Sequence, residues 1–387
     1  MKKAILMLQD GKCFEGVSAA ASGETTGKIV YNTADVGYQE IITDPTCSGL
    51  VVCFAFPEIG NYGINPYDNE SDKIHCAGII AKQISRVTSN WRAKESFRDF
   101  LTKQKIVAME RVDTRAVVKH VIKNGEMKCI LSTMDFDKRS LMKKLNHASD
   151  TDDADLASKT STKKIYKWDR KEKLIALDVF EKEKQYIKIS DNKTRLKIVV
   201  IDCGVMESFL RMLNSCNCDV TVVPVKTKAA DILKLKPDGI FISNGPGNPE
   251  KYDFLVEEIK KLLGKKPVLG IGLGHQIFGL ALGGSTYKMK SGHRCINHSV
   301  KNLDTNAVEV VSQNHGFAVA PDSFKKSKYK VRITHVDLND KTVEGIEVSA
   351  IKSFSVQYHP LPRPGAHDAP FVFNKFIKKI KTFREVK

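Results

Sequence analysis

The chain has 387 residues, of which 42% are hydrophobic and 28% charged, and carries a formal net charge of +17. That size predicts two or three domains, and the composition predicts a soluble globular protein rather than a disordered one. No apolar run reaches the roughly 20 residues a bilayer span needs, and the lysines are spread without the aromatic-basic pattern of a nucleic-acid binder, so neither a membrane nor nucleic acid is expected as a partner.

The chain opens with MKKAILMLQDGKCFEG, whose apolar run is too short for a secretory signal and predicts a first β-strand. Up to about residue 135, short β-like runs follow (GKIVYNT, LVVCFAF, KCILSTM), separated by Gly, Pro and Asp turns. HCAGIIAKQIS and TRAVVKHVIKNG carry helical patterns, the second closed by Gly125. Residues 1–137 are therefore read as an α+β domain. Nine cysteines lie along the chain without metal-ligand or disulfide spacing, which predicts reduced thiols, a cytoplasmic setting and no metal site.

Residues 138–195 are charged and poorly periodic, with KKLNHASDTDDADLASKTSTKK the most linker-like stretch. From Leu196 the pattern alternates. LKIVVIDCG, DVTVVPV and GIFISNGPG read as buried strands, and SFLRMLNS, AADILKL and YDFLVEEIKKLLG as helices. Residues 196–387 are therefore read as an α/β domain with a doubly wound parallel sheet. Ligands in such sheets bind at the carboxyl ends of the strands, where the glycine loops SNGPGNP and GIGLGHQ both fall.

PVLGIGLGHQIFGLALGG, from Pro267, is the sharpest signal: an apolar strand, a tight turn and an amphipathic helix. α/β enzymes use such an elbow to hold a nucleophile at the top of the sheet, yet the tip residue here is Gly272, which has no side chain. Glycine adopts the strained dihedrals of such a tip without a Cβ clash, so the turn survives the loss of the nucleophile.

Eight ordered stretches give the chain a family resemblance. YNTADVGYQEIITDP, FPEIGNYGIN and VDTRAVVKHVIKNG in the first domain, with ISNGPGNPE, GIGLGHQIFGLALGG, YKMKSGHRCINHSV, SQNHGFAV and FSVQYHPLPRPGAHD in the second, resemble the small subunit of carbamoyl phosphate synthetase. That subunit carries a triad-type glutamine amidotransferase domain. The resemblance implies glutamine hydrolysis with ammonia passed to a large subunit, in pyrimidine or arginine biosynthesis. It also implies that the first domain supplies much of the large-subunit contact in a heterodimer. ATP and Mg are expected only on the large subunit, and this chain, which shows no phosphate-binding P-loop motif, is expected to hold no cofactor.

Amidotransfer of this kind needs a thiolate, a histidine to move protons, a carboxylate to orient it, and backbone N–H groups for the oxyanion. By motif match, Gly272 stands where the family has its cysteine, His359 is the triad histidine, and Leu361 stands where the family has glutamate. Gly247 and Leu273 match the oxyanion donors. Thr46, Gly245, Gly247, Gln276, Asn314, Gly316 and Phe317 match the glutamine pocket, which makes L-glutamine a candidate ligand. His275 and His315 are read as structural, and His293 and His298 lie where HRCIN departs from the family's glycine-rich run.

A triad acts as a unit, so loss of its nucleophile predicts a chain inactive as a glutaminase, a pseudoenzyme serving as structural or regulatory partner of an ammonia-using large subunit. Two alternatives are weighed beside it. One is hydrolysis through an unconventional nucleophile, for which Cys203 and Cys295 are the candidates near strand ends. The other is a free-standing glutamine-binding module.

Overall fold

The computed structural model describes residues 2–169, 195–361 and 371–385. They fall into two compact units, within Met1–Leu156 plus Met289–Ile296 and within Ala157–Lys288 plus Asn297–Lys387.

The first unit contains β1 (Lys3–Leu8), β2 (Cys13–Ser18), β3 (Glu24–Asn32), α1 (Tyr38–Thr43), β4 (Leu50–Phe54), β5 (Glu58–Ile59), β6 (Gly78–Ile80), β7 (Gln83–Ile84), α2 (Phe97–Lys103), β8 (Val107–Glu110), α3 (Thr114–Asn124), β9 (Lys128–Ser132) and α4 (Lys138–His147). Seven strands close into a barrel in the order β1-β2-β8-β6-β4-β3-β9, and β9 returns to β1 with Leu6 opposite Leu131. Closure removes sheet edges that would otherwise template pairing with another chain.

Central barrel strands such as β4 are buried on both faces. In β4, Val51 and Cys53 belong to one apolar cluster with Leu6, Ile29 and Leu131, while Leu50, Val52 and Phe54 belong to another with Ile42, Phe97 and Leu101. The two-residue period of a strand makes this division. It also explains a correction. HCAGIIAKQIS is not a helix: Gly78–Ile80 is β6, hydrogen-bonded in parallel between β4 and β8, and Gln83–Ile84 is β7. Partners distant in sequence outweighed a local pattern. TRAVVKHVIKNG does form a helix, α3, ending at Gly125.

The linker reading of 138–195 is corrected over its first part. α4 begins at Lys138, where Asp137 accepts the Arg139 N–H at 3.0 Å. Leu141 and Leu145, one turn apart, are fully buried in a cluster with Ile5, Met7 and Ile130. Residues 170–194 of that stretch lie outside the described residues.

The second unit contains α5 (Leu156–Thr160), which begins at the boundary, then β10 (Tyr166–Lys167), β11 (Leu196–Asp202), α6 (Glu207–Ser215), β12 (Cys218–Pro224), α7 (Ala229–Lys234), β13 (Gly239–Ile242), α8 (Asp253–Leu262), β14 (Val268–Ile271), α9 (Leu273–Ala281), β15 (Thr286–Asn302), β16 (Val308–Val319), β17 (Arg332–Asp337), β18 (Val343–Val348), β19 (Ser353–Val356) and α10 (Phe371–Glu385). Its sheet has ten strands in the order β10-β12-β11-β13-β14-β19-β18-β16-β15-β17. The run β12-β11-β13-β14-β19 is parallel, as the alternating sequence predicts. β10 pairs antiparallel at one edge, and β18 continues antiparallel from β19.

Helices cover both faces. Ile198 and Val200 of β11 belong to a cluster with Phe209 of α6 and Phe373 and Phe376 of α10, while Val199 and Ile201 belong to a cluster with Ile259 of α8 and Ile277 and Phe278 of α9. The division at 137 and 196 therefore shifts in two ways: the first unit runs to Leu156 and the second starts at Ala157, and Met289–Ile296, within β15, groups with the first unit. Among the described residues, no helix is long and apolar enough to cross a membrane.

Candidate functional site

β13, β14 and β19 are neighbours in the parallel run, so the chain leaves all three at the same edge of the sheet. That places the loop from Ser243, the turn at Gly272 and the segment around His359 side by side.

Gly272 joins strand to helix in one residue. Its N–H donates to the Val356 carbonyl at 3.1 Å, completing the sheet ladder, and its own carbonyl accepts from the His275 N–H at 3.0 Å, starting α9. Serving both takes φ +59° and ψ −116°, a left-handed conformation that costs a residue with a side chain on the order of 1–3 kcal/mol. A β-carbon built there would lie 3.2 Å from Cβ of Asn244 and 3.8 Å from Nε2 of His359. The elbow, the Asn244 loop and the histidine thus share one small space.

His359 is held firmly. Its backbone N–H donates to the Ser312 carbonyl at 2.9 Å, and its ring meets Phe209 edge-on at 5.8 Å. Only 6% of it is exposed. Leu361, two residues on, is 4% exposed and belongs to the apolar cluster of Phe209, Tyr358, Phe373 and Phe376. Its side chain offers His359 no acceptor.

Gly245 and Gly247 lie in the loop after β13. A β-carbon on Gly245 would collide with the Cys203 carbonyl, and one on Gly247, at φ +97°, would collide with the Tyr252 hydroxyl. The hydroxyl in turn donates to the Pro246 carbonyl at 3.0 Å, which fixes the loop's course. The backbone N–H groups of Gly247 and of Leu273, the first residue of α9, donate to none of the described residues. Leu273 also stands at the positive end of its helix.

Gln276 braces the protein itself. Its Nε2 donates to the Phe317 carbonyl at 2.8 Å and to Oε1 of Gln357 at 3.0 Å. Both amide hydrogens are engaged, so a ligand could meet only its oxygen. On β16, Asn314 and Gly316 are half-buried and Phe317 is buried. His315 between them has Nδ1 2.9 Å from the Phe317 carbonyl and Nε2 2.9 Å from Oε1 of Gln313.

His275 is wholly buried in α9, its Nδ1 2.8 Å from Oγ of Ser355, and burial pushes its pKa down to about 3. It stays neutral and structural. His298 of the second unit meets Asp337 at 3.0 Å, and His293 falls in the segment grouped with the first unit. Thr46, also in the first unit, is half-buried in a short turn over Pro45–Cys47, where its N–H donates to Asp44 Oδ1 at 2.9 Å.

Neither candidate replacement thiol is accessible. Cys203 is fully buried, its backbone N–H donates to Oγ of Ser243, and burial pushes its thiol up, far from the thiolate a nucleophile needs. Cys295 is 5% exposed.

Asn244 and Gln357 were not singled out by sequence reasoning. Asn244 could have been, since it sits in the glycine loop at a strand end. Gln357 gives no such signal, because its role depends on α9 arriving opposite it.

The chain matches the family described as glutamine amidotransferase class-I over residues 199–379, and the carbamoyl-phosphate synthase small chain, CPSase domain, over residues 6–131. It is 43% identical to a carbamoyl phosphate synthase small chain of Syntrophotalea carbinolica over 383 residues, covering 99% of each protein. It is 41% identical to the protein of that name from Aquifex aeolicus, covering 97% of this chain and 98% of the relative. The Thermotoga maritima counterpart is also 41% identical, with 99% of this chain and 100% of the relative covered.

Proposed function

Given that this chain belongs to the carbamoyl phosphate synthase small-chain family, we propose that it is a small chain that does not hydrolyse glutamine and that serves as structural or regulatory partner of a large subunit using free ammonia. The observation that carries this reading is Gly272. The elbow keeps its hydrogen bonds, its left-handed turn and a histidine 3.8 Å from the missing β-carbon, yet no atom is present to attack a carboxamide.

Leu361 supports it independently, because an alkyl group buried in an apolar cluster neither orients the His359 ring nor stabilises its imidazolium. The burial of Cys203 argues against a substitute nucleophile. In this reading ATP and Mg act on the large subunit, in the cytoplasm, and the product feeds pyrimidine or arginine synthesis.

The test is ammonia release from glutamine by the purified full-length chain, alone and with a cognate large subunit, beside carbamoyl phosphate synthesis from ammonium. No release above background, stable co-purification and ammonium-supported synthesis are expected. Glutamine turnover of about 10 per second, near the enzyme median, would overturn the reading.

A further inference from the structure

Val87 and Trp91, on the loop between β7 and α2, are 72% and 77% exposed. A single exposed apolar side chain is ordinary, but here two large ones share one loop. The loop is firmly held. The Ser89 N–H donates to the Asn61 carbonyl and the Lys94 N–H to the Ile64 carbonyl, both at 2.8 Å. The Arg92 guanidinium grips both oxygens of Asp68, at 3.1 and 3.0 Å. Gly63, at φ +68°, lets the loop pack close, since a β-carbon there would collide with Thr88 and Ala93. The indole is thus displayed by a fixed backbone. The loop is also one-signed. No acidic residue lies from Gln83 to Lys94, and Arg86 and Lys94 are exposed and ion-pair with none of the described residues.

We propose that this loop is the anchor by which the chain docks a large subunit, with Trp91 entering an apolar pocket whose rim is acidic. This rests on the reading of the chain as a large-subunit partner. The loop lies within residues 6–131, which match the small chain, and outside 199–379, which match the amidotransferases. It therefore belongs to the half tied to carbamoyl phosphate synthesis. Tryptophans buried at the centre of an interface carry a disproportionate share of the binding energy. A backbone already held loses little freedom on docking. Arg86 and Lys94 fit an acidic rim, where charges govern the encounter rate more than the affinity. They also argue against a second copy as occupant, because a two-fold contact through the loop would set these cations against their own counterparts.

Calorimetric titration of the full-length chain with its purified cognate large subunit tests this. Trp91→Ala is expected to raise Kd at least about thirtyfold, the mark of a hot spot, and Val87→Asp to raise it as well. Met134→Ala removes a side chain 67% exposed elsewhere in the first unit and should leave Kd unchanged. Arg86→Glu with Lys94→Glu should slow association and flatten its salt dependence. An unchanged Kd in a folded Trp91→Ala chain, or an equal loss in Met134→Ala, overturns the proposal. If Trp91→Ala does not fold, Val87→Asp decides. A dimer of the chain alone that Trp91→Ala dissolves also overturns it, since the loop then serves a second copy. Tight binding that survives Trp91→Ala refutes this inference and leaves the preceding reading standing. No binding by the unaltered chain refutes both. Ammonia release refutes the preceding reading and leaves the docking loop in place.

Discussion

Nε2 of His359 stands 3.8 Å from the point where a β-carbon on Gly272 would be, and Asn244 stands closer still, at 3.2 Å. The first distance leaves a base in reach of a residue that has nothing to deprotonate. The second means that a side chain at 272 would press on Asn244, which would have to give by a few tenths of an ångström.

Gly272→Cys should therefore restore a thiol only at a cost. The left-handed φ and the Asn244 contact are expected to lower stability by about 1–3 kcal/mol. The thiol should react with iodoacetamide, and glutamine should acylate it slowly, because Leu361 offers no carboxylate to stabilise the His359 imidazolium. Urea midpoints and single-turnover ammonia release check both. A variant as stable as the parent would contradict the strained turn.

Leu361→Glu moves stability and rate in opposite directions. Burying a carboxylate in the Phe209–Phe373 cluster is expected to cost about 2–4 kcal/mol. In the Gly272→Cys background it should nonetheless raise the ammonia rate more than additively, since coupled groups in one network interact. A double-mutant cycle measures the coupling. No gain would mean that position 361 does not face the His359 ring.

Glu126 and Arg294 form a buried pair in the first unit, with side chains 3% and 7% exposed, and Oε1 of Glu126 also accepts the Gly292 N–H at 2.7 Å. Glu126→Ala should cost about 3–5 kcal/mol by stranding the guanidinium. The pair Glu126→Leu with Arg294→Met should cost less than that single change. Thermal unfolding of the three chains decides, and a double variant worse than Glu126→Ala would contradict the argument.

Acid should loosen α10. Burial of Glu347 opposes its ionisation, but the ammonium groups of Lys375 and Lys379, at 2.8 and 2.6 Å, outweigh burial and draw the carboxyl from an ordinary 4.5 down to about 2. A lowered folded-state pKa gives stability that is complete above the unfolded value and lost as pH falls through the folded one. The window is therefore pH 4.5 to about 2. Glu347→Gln should be less stable than the parent at pH 7, and the gap should narrow across that window in urea titrations.

Thiol labelling tests the packing as a whole. Of nine cysteines only Cys13 is partly exposed. Native protein should therefore yield about one fast-reacting thiol, with the remainder appearing on denaturation. Fast labelling of Cys203, located by mass spectrometry, would reopen the case for a substitute nucleophile.

The parallel half of the second unit was legible because its strands are buried on both faces. Runs such as LKIVVID can hardly be anything else, and the order of strands and helices then follows the chain. Gly272 was legible through the strand–turn–helix that carries it, and His359 through the family resemblance of QYHPL. The barrel was not, since its closure depends on β9 meeting β1 more than a hundred residues away in sequence. α4 was hidden among lysines, its two buried leucines too few to mark a period. Gln276 was expected at a ligand, but its amide nitrogen serves Phe317 and Gln357, partners that only the folded sheet supplies.

The segment Met289–Ile296 is encoded far beyond the barrel it belongs to. Ile296 lies in the barrel's outer cluster, Ser291 donates to the Tyr31 hydroxyl at 3.0 Å, and Arg294 answers Glu126. No single cut in the gene can therefore release an intact first unit. A fragment ending before residue 196 would expose Glu126 and the seat of Ile296, and its companion would carry an orphaned arginine. Fusion, fission or exchange of the amidotransferase half would have to bring this short stretch along, which ties the inheritance of the two units together.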